Sequence, residues 1–292
     1  MMPGNPIAYL TGVDEELTSV QIEYYEKALH LDKSLIVQFL YYLKSLVDGT
    51  LGFSFQKQEV VSLLVISRLK ITLLLVLPSA TIASILGLYL GLKAGYEVDN
   101  KIDKVLTPFM IVLNAFPIFL LSLILILIFC FDLKLFPYLG LASKNNGSLF
   151  DILTHLVLPV SSIAISLLPS RYLLIRNMAR ETAKSRCILY QRERGLGKNR
   201  IRYSYILPEI LTTYLTNVGL SIGSGIAGSV VVESIFSING MGRLLTEAVY
   251  TLDYPLMQGI LFVTSFAMLC SIILVEILSA ILDPRERRKL HG

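Results

Sequence analysis

Five stretches of this 292-residue chain contain no Asp, Glu, Lys or Arg: residues 71–92, 105–131, 152–170, 210–232 and 254–275, each 19 to 27 residues long. A surface helix of a soluble protein keeps a polar face, so runs of this kind exclude a water-soluble fold. About 20 apolar residues cross the hydrocarbon core of a bilayer, and each run is read as a membrane-spanning helix. No ten-residue segment alternates polar and apolar side chains, which excludes a membrane β-barrel. Cysteine is scarce and scattered (Cys130, Cys187, Cys270), and so is histidine (His30, His155, His291). Neither spacing gives a disulfide framework or a metal site. Also missing are a Ser/His/Asp set, an HExxH pattern and paired acids near a span end, so no catalytic residue is assigned and a membrane enzyme is set aside.

What is present is a greasy chain, 54% hydrophobic, with a mean hydropathy of +0.64. Its positive charge is lopsided. Residues 93–104, 176–204 and the tail after 282 hold three, nine and four Lys and Arg; the alternate segments 1–70, 132–151 and 233–253 hold six, two and one. Basic loops stay on the cytoplasmic side, so the 176–204 loop and the C-terminus are expected inside. Five spans then put the N-terminus outside, and about 70 residues would have to cross with no signal segment to lead them. The expectation is a sixth span upstream of Met1, with both ends of the full protein inside.

The reading divides the chain into an extracytoplasmic segment 1–68, a transmembrane domain 69–282 and a cytoplasmic tail 283–292. Within the first, residues 14–29 and 34–47 pattern as amphipathic helices, the second with Ser34 as N-cap, and "DGTLGFSF" (48–55) as a turn and an extended piece. Six prolines (Pro78, Pro108, Pro117, Pro159, Pro169, Pro208) fall in or beside the spans, where they kink helices. "GLSIGSGIAGS" (219–229) matches a dinucleotide-binding spacing at Gly223, Gly225 and Gly228, but no strand precedes it. Gly219 and Gly223, four apart, are read as a close helix-packing face. "GLGKN" (195–199) lacks the first glycine and the hydroxyl residue of a phosphate loop.

The basic loop carries the functional signal. Residues 178–194 are expected to form a helix leaving the membrane, with Arg192 and Arg194 in its last turn, where cations favour the negative end of the dipole. Gly195 follows at a left-handed C-cap position. Positive-inside anchoring and contact with anionic lipid explain the charge. They do not explain the apolar group Ile188, Leu189 and Tyr190, which suits a partner surface.

This loop, with Arg194, Gly195 and the later Leu207–Pro208, resembles that of the permease subunits of binding-protein-dependent ABC importers in the dipeptide, oligopeptide and nickel group. "PGNPI" (3–7), "GTLGFSF" (49–55), "RLKITLLL" (68–75), "VVVESIFSINGMGRLL" (230–245), "DYPLMQG" (253–259) and "LDPRER" (282–287) continue the resemblance in the same order. Gln191 and Glu193 stand where the family has small residues, Asn239 where it has proline, and Asn5 where it has Asp. The resemblance implies an all-α polytopic membrane helix bundle, six spans in the family against five here, in the plasma membrane. It implies a second homologous permease subunit, two ABC ATPase subunits and an extracytoplasmic solute-binding protein as partners, and no nucleic acid. No cofactor is expected on this chain, since ATP would be used by the ATPases. Docking would involve Ile188, Leu189, Tyr190, Gln191, Arg192, Arg194, Gly195 and Leu196, with Leu189, Tyr190 and Gln191 touching the ATPase. Transport of peptide, nickel or a metal chelate would proceed by alternating access. Asn114, Asn217 and Ser221 are candidates for the translocation path, and Glu276 is the clearest ionisable residue of a span. The alternative is a non-ABC secondary transporter or channel subunit, which would be expected to show intramembrane charges or inverted repeats.

Overall fold

The computed structural model describes residues 33–54, 56–97, 101–143 and 147–282, and among these the chain is helical almost throughout. It divides into two compact units, residues up to Thr72 with Asn239–Ser265, and Leu73–Ile238 with the residues from Phe266. The expected helix at 14–29 and the tail from 283 lie outside the described residues.

In the first unit, α1 (Leu35–Val47) starts where expected, but the Ser34 side chain makes no cap bond. The backbone carbonyl of Ser34 accepts from Gln38 N at 3.0 Å instead. Gly49, at φ +71°, turns the chain into a short antiparallel pair, β1 (Phe53–Ser54) and β2 (Glu59–Val60). The buried Ser54 hydroxyl donates to Asp253. The other carboxylate oxygen of Asp253 accepts from Leu256 N at 3.2 Å, so this acid also caps the start of a long helix.

In chain order the remaining helices are α2 (Val61–Tyr96), α3 (Lys101–Ala115), α4 (Ile118–Ile126) with a π-helical extension Leu127–Asp132, α5 (Leu149–Ala183) and α6 (Arg186–Glu193). Next come α7 (Lys198–Ile201) with a π-helical turn Arg202–Ile206, α8 (Leu207–Gly228), α9 (Val230–Ile235), α10 (Met241–Tyr250) and α11 (Tyr254–Leu282). Among the described residues, α2, α5 and α11 are long and apolar enough to cross a membrane. They contain the runs expected at 71–92, 152–170 and 254–275. At 36 residues, α2 is about 54 Å long against about 30 Å of hydrocarbon, so it extends beyond the bilayer.

The other two expected spans differ from a plain crossing helix. Residues 105–131 are not one rod: α3 and the α4 segment meet at an angle of 100°. Pro117 supplies the reason, since it offers no N–H to the helix and biases Phe116 away from helical backbone; it stands extended as the N-cap of α4. Residues 210–232 become α8 and α9, broken at Ser229. With Thr212, Thr213, Thr216 and Asn217 along it, α8 falls short of the apolarity of the other spans.

Small residues set the closest helix contacts of the second unit. A Cβ at Gly87 would stand 2.5 Å from Arg171 Cβ, one at Gly91 2.8 Å from Ile175 Cβ, and one at Gly95 would collide with the Arg176 carbonyl oxygen. Glycine every fourth residue thus lets the backbones of α2 and α5 touch. The expected Gly219 and Gly223 face behaves likewise against Val275 and Met268 of α11, where Ser271 Oγ donates to Gly219 O at 3.1 Å.

Candidate functional site

The basic loop is built as a helix, a break and a second helix. The single helix expected over 178–194 is interrupted: α5 closes with Lys184 N donating to Glu181 O at 3.1 Å. Ser185 then stands extended as the N-cap of α6, its hydroxyl accepting from Ile188 N at 3.5 Å. A serine that bonds the backbone locally competes with helix continuation. The other end matches expectation. Leu196 N donates to Gln191 O at 3.2 Å and Gly195 N to Arg192 O at 2.9 Å, the two bonds of a Schellman cap. Gly195 has φ +75°. A Cβ there would meet nothing within 4 Å, so glycine is favoured by backbone conformation rather than by space.

The residues expected to dock are divided between two faces of α6. Ile188 (1% exposed) and Gln191 (9%) point into the protein's own core, whereas Leu189 (46%) and Tyr190 (59%) are exposed. Gln191 is therefore not a surface contact, and its Oε1 is buried without a hydrogen bond. Burying Ile188 contributes about 1.5–3 kcal/mol toward holding α6 against a cluster that includes Tyr96, Ile175, Ala183, Ile201 and Ile206, with Leu196 half-buried on its edge. Arg192 and Arg194 are exposed, and the Arg194 guanidinium lies 5.8 Å from the Tyr190 ring centroid.

Two residues that the sequence reading passed over complete this site. Tyr96 ends α2, and its ring receives two cations: Arg192 at 4.7 Å and Arg202 at 5.6 Å from the centroid. Glu97 accepts from Arg202 Nη2 at 3.1 Å and pairs with Lys198 Nζ at 3.5 Å. The signal in the sequence was an acid beside an aromatic in the 93–104 segment, whose charges served there only to orient the chain.

The candidate path residues do not form one cluster. Asn217 and Ser221 lie one turn apart on α8, and Ser221 Oγ donates to Val218 O at 2.8 Å. Asn114 is exposed near the end of α3 and Glu276 is exposed on α11. Arg171, which directly follows the uncharged run 152–170, sits inside α5 and is 2% exposed. Its Nη1 donates to Asn217 Oδ1 and its Nε is buried without a partner. A buried arginine inside a span is a functional candidate by default. Among the described residues, no group of three or more His, Cys, Asp or Glu comes together as a metal site.

The described residues thus form a membrane helix bundle with glycine-packed spans and a capped, partly exposed helix on a basic loop. Residues 83–288 match the family described as binding-protein-dependent transport system inner membrane component. The chain is 30% identical over 285 residues to the oligopeptide transport system permease protein AppB of Bacillus subtilis strain 168, covering 97% of this chain and 90% of that one. It is 28% identical to the nickel import system permease protein NikB of Staphylococcus aureus strain MRSA252, covering 99% and 85%. An inward-facing structure of the MetNI methionine ABC transporter shares the fold, with a TM-score of 0.60 at 13% identity over 75% of this chain and 96% of that one. The chain belongs to the family of binding-protein-dependent transport system inner membrane components and is a permease subunit of an ABC importer.

Proposed function

We propose that this permease imports a peptide, nickel or a metal chelate and takes its driving force from ATPase subunits that dock on α6 at the cytoplasmic face. Support for the solute class is the likeness, along nearly the whole chain, to an oligopeptide and a nickel permease. The observation that carries the docking role is the division of α6. Ile188 anchors the helix, Gly195 ends it, and Leu189 and Tyr190 stand out from it, exposed. Large apolar side chains exposed on a rigid, capped helix suit insertion into a cleft of a partner. Basic loops face the cytoplasm, where ATP is available, and this chain would bind no cofactor itself. A second permease subunit would complete the pathway, two ATPases would power it, and an extracytoplasmic binding protein would deliver the solute.

Closure of the ATPases on ATP shifts α6, and that shift favours one membrane opening over the other only through contacts that differ between the two states. The test replaces Leu189 and Tyr190 by Glu in the assembled transporter. Loss of the ATPase subunits on affinity purification, with normal membrane insertion of the permease, is the expected result. Full retention of both ATPases and of uptake would remove α6 from the docking surface. Uptake of labelled dipeptide, oligopeptide and nickel into proteoliposomes with the cognate binding protein separates the solute classes.

A further inference from the structure

The break at Lys184–Ser185 poses a mechanical problem. A push on α6 cannot travel into α5 as through one continuous rod, because the helix ends at Ala183 and restarts at Arg186. Some other contact must fix the angle of α6 to the spans. No chain connection joins the loop to α2, so α2 follows α6 only through side chains. Besides the apolar cluster that Ile188 shares with Leu92 and Tyr96, the contacts that link the two are the ones around Tyr96 and Glu97. The Tyr96 ring is 7% exposed and belongs to the same cluster as Ile188. Arg192 of α6 lies on it at 4.7 Å, and Arg202, beyond α7 on the return toward α8, at 5.6 Å. Arg192 Nε also reaches Tyr96 Oη at 3.3 Å. Next to the ring, Glu97 holds Arg202, itself buried, and Lys198.

We infer that Tyr96, with Glu97 beside it, is the coupling clamp of this permease: the ring gripped by Arg192 and Arg202 ties the docking helix to the end of α2 across the break in the loop. Tyr96 is a positioning residue, acting through Arg192 and touching neither solute nor ATPase. The attraction is between cations and the negative face of a ring, in a partly desolvated site where it is stronger than in water. Because α2 and α5 touch backbone to backbone at Gly91 and Gly95, whatever moves the end of α2 moves α5 with it. The clamp thus restores the mechanical continuity that the break removes. This inference rests on the proposal that α6 docks the ATPases.

The experiment keeps the ring and, within a phenylalanine series that lacks the Oη acceptor of Arg192 throughout, changes only its electrostatics. Tyr96 is replaced in the full complex by Phe, 4-fluoro-Phe and 3,4,5-trifluoro-Phe, which empty the ring face stepwise at nearly constant size. Tyr96→Leu removes the ring altogether. Uptake per ATP hydrolysed is measured in proteoliposomes with the binding protein present, and retention of the ATPase subunits is measured in parallel. The expected outcome is a graded loss across the fluorinated series. It should reach about tenfold in Tyr96→Leu, a coupling change of ordinary size for linked sites, with the ATPases retained throughout. A flat series with unchanged coupling overturns the clamp even if Tyr96→Leu fails to fold. Failure of the docking proposal is read separately, as ATPase retention in the Leu189→Glu, Tyr190→Glu protein.

Discussion

Arg176 holds both carboxylate oxygens of Asp103, with Nε 2.5 Å from Oδ1 and Nη2 2.9 Å from Oδ2. The pair joins α5 to the first turn of α3 and is nearly buried, with side-chain exposures of 13% and 5%. Thr107 Oγ1 donates to Asp103 Oδ1 at 2.8 Å and lies 2.7 Å from Tyr172 Oη, so the acid is served from both helices. Arg176 was one of the nine charges that mark the basic loop, yet it is committed to the protein's interior. Removing one partner of a buried pair leaves the other charge without compensation and costs about 3–5 kcal/mol, while replacing both by apolar residues is often nearly neutral. Asp103→Ala should therefore destabilise the protein strongly, and the double variant Asp103→Leu, Arg176→Leu should recover most of the loss. Unfolding in mixed micelles, followed by helix content, measures both; a double variant as unstable as Asp103→Ala contradicts the account.

Three of the five expected spans and the glycine end of α6 were legible because they depend on local signals: uncharged runs set by bilayer thickness, and a left-handed position that glycine favours. The break at Pro117 was half legible. Proline marks a bend, but the 100° angle is set by neighbouring helices that one sequence does not display. The break at Ser185 was missed because Ser, Lys and Arg are acceptable helix formers, and the N-cap at Ser185 is recognised only once the chain is seen to turn there. Gln191 read as a surface residue because polarity predicts exposure; the 3.6-residue period from the anchored Ile188 outweighs it. Arg171 and Tyr96 were missed for a common reason. Each takes its meaning from a partner on another helix, Asn217 and Arg192, far away in sequence.

Arg171 and Asn217 should respond asymmetrically to mutation. Asn217 Oδ1 is the acceptor given to a guanidinium whose Nε already lacks one. Asn217→Ala strands the buried cation and should cost about 1.5–3 kcal/mol, the range for hydrogen bonds to charged groups. Arg171→Met removes the charge, keeps most of the apolar stem that packs on α2, and leaves behind an asparagine that is already exposed. It should cost less, although it alters the larger side chain. The same micelle unfolding ranks the two, and the reverse order would show that packing of the arginine outweighs its hydrogen bond.

Glu247 gives the first unit a pH dependence of defined sign. The hydrogen bond from Lys57 Nζ, at 2.8 Å, is the main cause that holds its carboxyl below the ordinary 4.5, helped by the charges of Lys57, Arg243 and Arg68 and opposed by partial burial. A carboxyl with a depressed folded-state pKa contributes stability that is fully present above its unfolded value and is lost as pH falls through the folded one. The protection factors of the α10 amides, corrected for intrinsic exchange, should therefore hold steady from neutral pH down to about 4.5 and fall below it, an effect kept small by the exposure of both side chains. Lys57→Gln should flatten that acid response. Undiminished acid sensitivity in the variant would assign the response to another group.

Gly195 allows the most direct test of the docking role proposed for α6, because its preference is conformational. With φ at +75° and nothing within 4 Å of an added Cβ, substitutions there should rank by tolerance of left-handed backbone rather than by size. Asn populates that region readily and occurs at helix C-caps, so Gly195→Asn should keep uptake near the native level. Gly195→Ala should lose about 1 kcal/mol from the cap and show reduced uptake. Gly195→Val, β-branched and bulky, belongs least in this region and should abolish uptake while inserting normally into the membrane. The cap controls where α6 ends, and so where Leu189 and Tyr190 present themselves. Loss of uptake should consequently be accompanied by loss of the ATPase subunits on purification. Tolerance that instead followed side-chain volume, with Asn as harmful as Val, would mean that a partner fills the space beside Gly195 and that contact, not backbone geometry, fixes the residue.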